Sequence, residues 1–184
     1  MRLLPVPEGV RLGLDPDEAQ LLDQLVSQLI ALLQSHSKTA LDPDPLFASL
    51  EVGGSEVLPE DPALARLFPD AYEGGGNASA FRRVTEQGLL NRKLQDALTV
   101  TSELGPGSDP DDPAPVTLEI TEATFPAWIR TLTALRLAMA ARVGLEIEED
   151  HDRLLEDEES RGTVLVYDWL AAILESLLRT MERS

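Results

Sequence analysis

Residues 121–144 read TEATFPAWIRTLTALRLAMAARVG, and this stretch decides the fold. At about 100° per residue its large apolar side chains fall on one narrow face, the 3.6-residue pattern of a helix that packs on a core. That face holds Phe125, Trp128, Ile129, Leu132, Leu135, Met139 and Val143. Thr121 can cap the start of the helix, and Gly144 can end it. The stretch therefore predicts a buried central helix.

One charged residue, Arg136, interrupts this apolar face. A guanidinium group in apolar surroundings requires a carboxylate or several carbonyl groups as partners. The predicted role is a structural ion pair rather than a ligand contact. Asp168 or Asp96 is the expected partner.

Short strands are predicted on either side of the long helices. Residues 3–14 alternate as a hairpin around a Pro7-Glu8-Gly9 turn, and Val116, Leu118 and Ile120 alternate as a further strand. Each of the two stretches ends in a capping residue that opens an apolar helix. This weak repetition indicates that the strands share one small sheet and that the two following helices are neighbours.

Helical periodicity predicts further helices at residues 15–34, 62–72, 79–103 and 161–181. Residues 36–61, 73–78, 105–115 and 146–160 are rich in proline, glycine or acidic residues and are predicted to be mobile loops. The expected fold is a single mainly α domain over residues 1–184. It is bundle-like, with four or five helices and a small β element formed by the N-terminal hairpin and residues 116–120.

The helix predicted from Asp15 to about Gln34 has an apolar arc that covers roughly half of its circumference. The arc holds Leu21, Leu22, Leu25, Val26, Leu29, Ile30, Leu32 and Leu33. One contact surface does not need so wide an arc. The helix therefore packs against two neighbours or adds a subunit interface, as in a homodimer.

Composition limits the classes of function. The chain has 184 residues and a net charge of −18, which disfavours contact with nucleic acids and anionic membranes unless basic residues cluster. It has no cysteine, which excludes disulfides, thiol catalysis and thiolate metal sites. There is no signal-like apolar run and no stretch long enough to span a bilayer. We expect a cytoplasmic protein.

No motif indicates catalysis, a cofactor or a metal. Phosphate loops, nucleophile elbows and dinucleotide fingerprints are absent from the sequence. The acidic run at residues 146–159 lacks the spacing of a calcium loop, and neither His36 nor His151 has a second histidine nearby. We predict no catalytic, cofactor-binding or metal residues, with an uncharacterised enzyme as the second alternative.

The basic residues concentrate in one predicted helix, at Arg82, Arg83, Arg92 and Lys93. Four cations on one helix can contact a partner or the phosphates of a nucleic acid. However, Glu86 follows Arg82 by four residues, and Asp96 follows Arg92 by four and Lys93 by three. This spacing favours pairing within the helix. Direct DNA binding through these residues is the first alternative function.

Several stretches recur in this order in one known family: Ala65 to Tyr72, Phe81 to Glu86, Arg92-Lys93-Leu94, Trp128, Leu135-Arg136-Leu137, Arg142-Val143-Gly144 and Tyr167-Asp168-Trp169-Leu170. With the leucines at 21–33, the chain resembles the actinobacterial oxidative-stress transcriptional regulator (AosR-like) family. This family was formerly catalogued as a domain of unknown function, and its genes often lie near that of the ClpS adaptor.

The resemblance implies a non-enzymatic cytoplasmic regulator that acts on transcription through another protein, such as a sigma factor or a component of the transcription machinery. It supplies no catalytic residues and implies no membrane partner. One feature departs from a redox regulator, because cysteine-based sensing cannot operate here. Only Met1, Met139 and Met181 offer oxidisable sulfur.

Overall fold

The computed structural model describes residues 1–41, 60–69, 78–105 and 115–181, with the backbone alone given for residues 37–41 and 78–87. The described parts form three strands and six helices. In chain order they are β1 (Arg2–Val6), β2 (Gly9–Leu14), α1 (Pro16–Leu41), α2 (Pro62–Leu67), α3 (Ala78–Leu104), β3 (Val116–Thr121), α4 (Phe125–Val143), α5 (Glu148–Glu156) and α6 (Arg161–Met181). The prediction of a mainly α fold with a small β element is confirmed.

The three strands form one antiparallel sheet in the order β1-β2-β3. Val10 lies opposite Ile120 and Leu12 lies opposite Leu118, so that the apolar residues of β2 and β3 share the buried face. On the other face Arg11 pairs with Glu119. The alternation of the two segments thus predicted the shared sheet, because the period of two residues separates a core face from a polar face.

The hairpin turn depends on a glycine. Gly9 has a φ of +152°, which side chains of L residues rarely allow. A Cβ atom at this position would overlap the carbonyl oxygen of Ile120 and would lie 2.9 Å from the Cα atom of Thr121. The absence of a side chain therefore lets β2 approach β3.

Helix α4 is central, as predicted, and packs against α2, α3 and α6. Trp128 and Leu132 are fully buried. Gly144 ends the helix with a φ of +71°. The predicted cap at Thr121 is wrong, because the cap position is Thr124 and Thr121 lies one turn earlier, at the end of β3.

Helix α3 lies between α1 and α4 and packs extensively against both, whereas α1 and α4 make only a small direct contact. The prediction that α1 and α4 are close neighbours is therefore only partly met. The wide apolar arc of α1 is used by several neighbours, since α1 also contacts α2 and β2. Leu22, Val26 and Leu33 are buried, while Leu21 and Leu25 remain partly exposed.

Three of the predicted loops contain helical residues. Helix α1 continues to Leu41, so the predicted loop at 36–61 begins too early. Residues 148–156 of the predicted loop at 146–160 form α5, which packs on α6 through the buried Leu154. Ala78 already begins α3. Residues 42–59, 73–77 and 106–114 of the predicted loops lie outside the described residues.

The apolar side chains of the sheet, α1, α2, α3, α4 and α6 form one hydrophobic cluster. Among the described residues, no helix is both long enough and apolar enough to cross a membrane.

Candidate functional site

A cleft with a volume of about 600 Å³ lies where α2, α4, α5 and α6 meet, which is within the usual size range of small-molecule pockets. Its polar lining includes two arginines, a histidine and a tyrosine: Arg66, Arg136, His151 and Tyr167. The apolar lining comes from Leu137, Ala140, Leu145 and Ile147, and the carboxylates are those of Glu146, Glu148 and Asp152. The cleft therefore offers cations, apolar surface and acidic groups together.

Arg136 lies on the α4 wall of this cleft. The Cζ atom of its guanidinium lies 4.3 Å from the centroid of the Tyr167 ring, which is a cation–π contact. Its Nε is buried and has no hydrogen-bond partner. An unsatisfied buried donor costs about 1–3 kcal/mol. Among the described residues, Arg136 is thus held by an aromatic ring and not by a carboxylate.

The predicted ion pair between Arg136 and Asp168 is wrong. Asp168 on α6 accepts hydrogen bonds from Nε2 of His151 on α5, with both carboxylate oxygens 3.0 Å from that nitrogen. The hydrogen bond to Asp168 raises the pKa of His151 above its ordinary value, and burial opposes this increase. The contact joins α5 to α6 at the edge of the cleft.

Asp96 is also not the partner of Arg136. Its carboxylate on α3 accepts two hydrogen bonds from Arg130 on α4, at 2.6 Å from Nε and 2.7 Å from Nη2. Asp96 is only 7% exposed. This two-pronged pair raises the pKa of Arg130 and joins the two helices. It also replaces the pairing of Asp96 with Arg92 that the helical spacing predicted.

The structure separates the basic candidates of α3. Arg92 is exposed, whereas Lys93 is partly buried and its Nζ lies 6.0 Å from the centroid of the Phe68 ring. Burial lowers the pKa of Lys93, and the carboxylate of Asp96 opposes that decrease. The side chains of Arg82 and Arg83 lie outside the described residues. Arg92 and Lys93 therefore do not present a shared exposed surface.

The acidic run that precedes α6 has structural roles in the described structure. Asp150 accepts hydrogen bonds from the backbone N–H groups of Glu146 and Ile147, at 3.1 Å and 3.2 Å, and pairs with Arg153. These interactions lower the pKa of Asp150, with the Arg153 hydrogen bond as the largest cause. Within the described residues, no group of three or more histidine or acidic side chains is placed to hold a metal ion.

Sequence reasoning found Arg136 through its position in an apolar stripe but missed the residues around it. Arg66, His151 and Tyr167 come from three other helices, and no helical spacing relates them to Arg136. The sequence indicated only Arg136 itself, because a charged side chain on the core-facing side of a helix requires a polar, charged or aromatic partner. The contacts of Arg136 depend on how the helices pack against one another, and the helical periodicity of the sequence does not predict this packing.

Comparisons with known proteins identify one family. Residues 2–181 match the family model described as domain of unknown function (DUF2017). A Mycobacterium leprae protein named AosR is 32% identical over 176 residues, which cover 89% of this chain and 78% of that protein.

Two further relatives are named oxidative stress regulator AosR, one from Mycobacterium bovis and one from Mycobacterium tuberculosis strain H37Rv. Each is 30% identical over 179 residues, which cover 91% of this chain and 80% of the relative. No solved structure matches the chain.

Proposed function

The chain belongs to the DUF2017 family, and from this premise we propose that it is a non-enzymatic cytoplasmic regulator of transcription under oxidative stress. The observation that carries the proposal is its similarity to proteins named oxidative stress regulator over about nine-tenths of its length. The family model itself spans residues 2–181, which include every described helix and all the residues that line the cleft. The regulatory role is therefore assigned to the complete fold and not to a short motif.

The regulator acts through contact with another protein. Its net charge of −18 opposes the approach of a DNA backbone over most of the surface. Partly exposed leucines on α1, together with Leu165 and Leu178 on α6, offer apolar area for a protein contact. A sigma factor or another component of the transcription machinery is the first partner to test.

The oxidative signal enters through the partner. The chain has no cysteine, and two of its three methionines, Met139 and Met181, are partly buried. A protein without thiols cannot respond to peroxide through a disulfide or a sulfenic acid. The chain therefore relays a signal that another protein senses.

The test begins in the native host. Deletion of the gene is expected to change the transcription of peroxide-responsive genes, and the wild-type gene is expected to restore it. A tagged copy, captured with and without peroxide, identifies the partner, which is then purified. Binding of the purified partner is expected to change little between about 50 and 200 mM salt, whereas direct DNA binding falls steeply over this range.

Arg92→Ala separates protein contact from direct DNA binding, with Arg179→Ala on α6 as the matched control for loss of one exposed arginine. Under the proposal, neither change weakens binding to the partner by more than a few fold. Binding of DNA by the chain alone, weakened selectively by Arg92→Ala, would establish the alternative. A deletion strain with an unchanged peroxide response would refute the regulatory role.

A further inference from the structure

Arg136 differs from several other arginines of the described residues in having no carboxylate partner. Arg11, Arg130, Arg142, Arg153 and Arg179 each form an ion pair with an acidic side chain. None of the nitrogens of Arg136 donates a hydrogen bond to a described residue, and its Nε is buried without a partner. The guanidinium is nevertheless fixed in place by the ring of Tyr167, 4.3 Å from its Cζ. Within the part of the chain that the structure describes, it is an oriented cation without an anion.

The surroundings of Arg136 provide space for that anion. Arg136 lines the cleft of about 600 Å³, and Arg66 contributes a second guanidinium from α2. The nearby carboxylate of Asp168 is bound by His151. The planar fork of a guanidinium matches a carboxylate in a two-pronged pair.

The remaining lining restricts the class of anion. Leu137, Ala140 and Ile147 provide apolar surface beside Arg136, and the Ile147 side chain is 60% exposed. Three carboxylates also line the cleft, those of Glu146, Glu148 and Asp152. Like charges repel a polyanion such as a nucleic acid or a polyphosphate more strongly than a group with one negative charge. The lining thus suits an apolar group that carries one carboxylate.

We propose that the cleft between α2, α4, α5 and α6 binds an apolar monocarboxylate, whose carboxylate pairs with Arg136 and whose apolar part lies against Leu137, Ala140 and Ile147. Arg66 adds attraction from the α2 side. The carboxylate belongs either to a small molecule or to the C-terminus of an apolar peptide, since both present the same chemistry. The proposal concerns the isolated chain and does not depend on the proposed transcriptional partner.

The test uses the full chain and four probes. Octanoate and octanamide differ only in the charged group, as do an apolar tripeptide with a free C-terminus and the same tripeptide with a C-terminal amide. Binding is followed by titration of the amide resonances in two-dimensional NMR spectra. We expect one or both carboxylate probes to shift resonances of the cleft residues, and we expect the amide probes to shift them much less. The more tightly bound carboxylate probe shows whether the natural ligand is a small molecule or the C-terminus of a peptide.

Variants then locate the carboxylate. Arg136→Gln is expected to weaken binding of the carboxylate probe by about tenfold or more, because a charge-assisted pair is lost. Arg179→Gln removes the same charge on α6 outside the cleft and is expected to leave binding nearly unchanged. If Arg136→Gln does not fold, Arg66→Gln and Ile147→Ser provide the measurement, since both side chains are exposed. Each is expected to weaken binding several-fold.

Three results would overturn the proposal. The first is the absence of cleft shifts with every probe. The second is equal binding of the acid and amide forms, which would show that the cleft does not recognise the negative charge of the carboxylate. The third is equal affinity of wild type and the folded cleft variants, which would place binding elsewhere and leave Arg136 as a structural partner of Tyr167.

Discussion

Asp96 is a single buried carboxylate that joins two helices. It is 7% exposed and accepts both hydrogen bonds from Arg130, whose side chain is 49% exposed. Solvent screens the outer half of this pair, so its contribution to stability is smaller than that of a fully buried pair. Most of the effect of a mutation will come from the buried carboxylate.

We expect Asp96→Asn to lower the free energy of unfolding by about 1–2 kcal/mol, because the two-pronged pair loses its charge and one of its acceptors. Urea unfolding followed by circular dichroism measures the change. Glu175→Gln removes a carboxylate from the exposed pair with Arg179 on α6 and is the matched control. Equal losses in the two variants would contradict a special role for Asp96.

His151 makes a further residue-scale contact, with Asp168, and the direction of its pKa shift determines the pH dependence. The folded-state pKa is raised, so folding favours the protonated ring. The stabilisation is fully present below the pKa of the unfolded state, about 6.5, and is lost as the pH rises through the higher folded-state value.

The expected result is that wild type is more stable than His151→Gln at about pH 6 and that the difference in melting temperature shrinks by about pH 9. Thermal unfolding across this range measures it. Asp168→Asn should remove most of this pH dependence, and the smaller contribution of Asp152 to the raised pKa of His151 should remain. If the difference instead grows with pH, the sign derived from the His151–Asp168 contact is wrong.

At the scale of elements, the hairpin and α3 offer two glycines with opposite requirements. Gly9 has a positive φ and no room for a Cβ atom, whereas Gly88 lies in α3 with open space where a Cβ atom would stand. Alanine at position 9 must therefore displace the backbone of β3. Alanine at position 88 only reduces the freedom of the unfolded chain.

We expect Gly9→Ala to destabilise the protein by more than about 2 kcal/mol. Gly88→Ala should stabilise it by about 0.5–1 kcal/mol, the usual gain in a helix interior. Denaturant unfolding of both variants provides the measurement, and each serves as the control for the other. A neutral Gly9→Ala would show that the turn can relax without disturbing the β2–β3 pairing.

The sequence predicted elements with a wide apolar stripe and missed those without one. The pattern predicts both ends of α6 correctly, because its apolar residues recur over 21 positions. The sequence pattern predicts a loop where α5 lies, since Leu154 is the only buried residue of this helix and acidic residues fill most of the rest. Its start is held by Asp150 binding backbone N–H groups, a local interaction that a run of similar acids conceals.

At the scale of the whole molecule, the excess of acidic over basic residues acts on every element. The 33 acidic and 15 basic residues give the net charge of −18, and such a charge destabilises the compact state through self-repulsion. Salt reduces this repulsion, because the Debye length falls from about 30 Å at 0.01 M to about 8 Å at 0.15 M.

We expect the melting temperature to rise by several degrees over this range of sodium chloride, with potassium chloride giving the same rise. Scanning calorimetry measures it. A melting temperature that is unchanged, or that falls with salt, would show that local ion pairs such as Arg130–Asp96 outweigh the global repulsion.

The architecture of the molecule was more predictable than its cleft. Apolar residues recur at every second position around Val10 and around Ile120, because one face of each strand is buried. This alternation predicted that the two strands share one sheet. Arg136 pairs with neither Asp168 nor Asp96, the predicted partners, and Asp96 pairs with Arg130 rather than with Arg92. These pairings join different helices, and among 33 acidic residues charge alone does not select one partner.

The pairing of β2 with β3 also has a consequence for synthesis on the ribosome. Val10 and Ile120 are 110 residues apart (120 − 10), so the hairpin leaves the exit tunnel long before its third strand is translated. At about 5–20 residues per second, this delay lasts about 5–20 s. During that time the nascent chain carries two apolar strands with an uncovered inner face. The sheet is therefore completed only after residues 15–115 have been translated, which makes its pairing a late event in the synthesis of the chain.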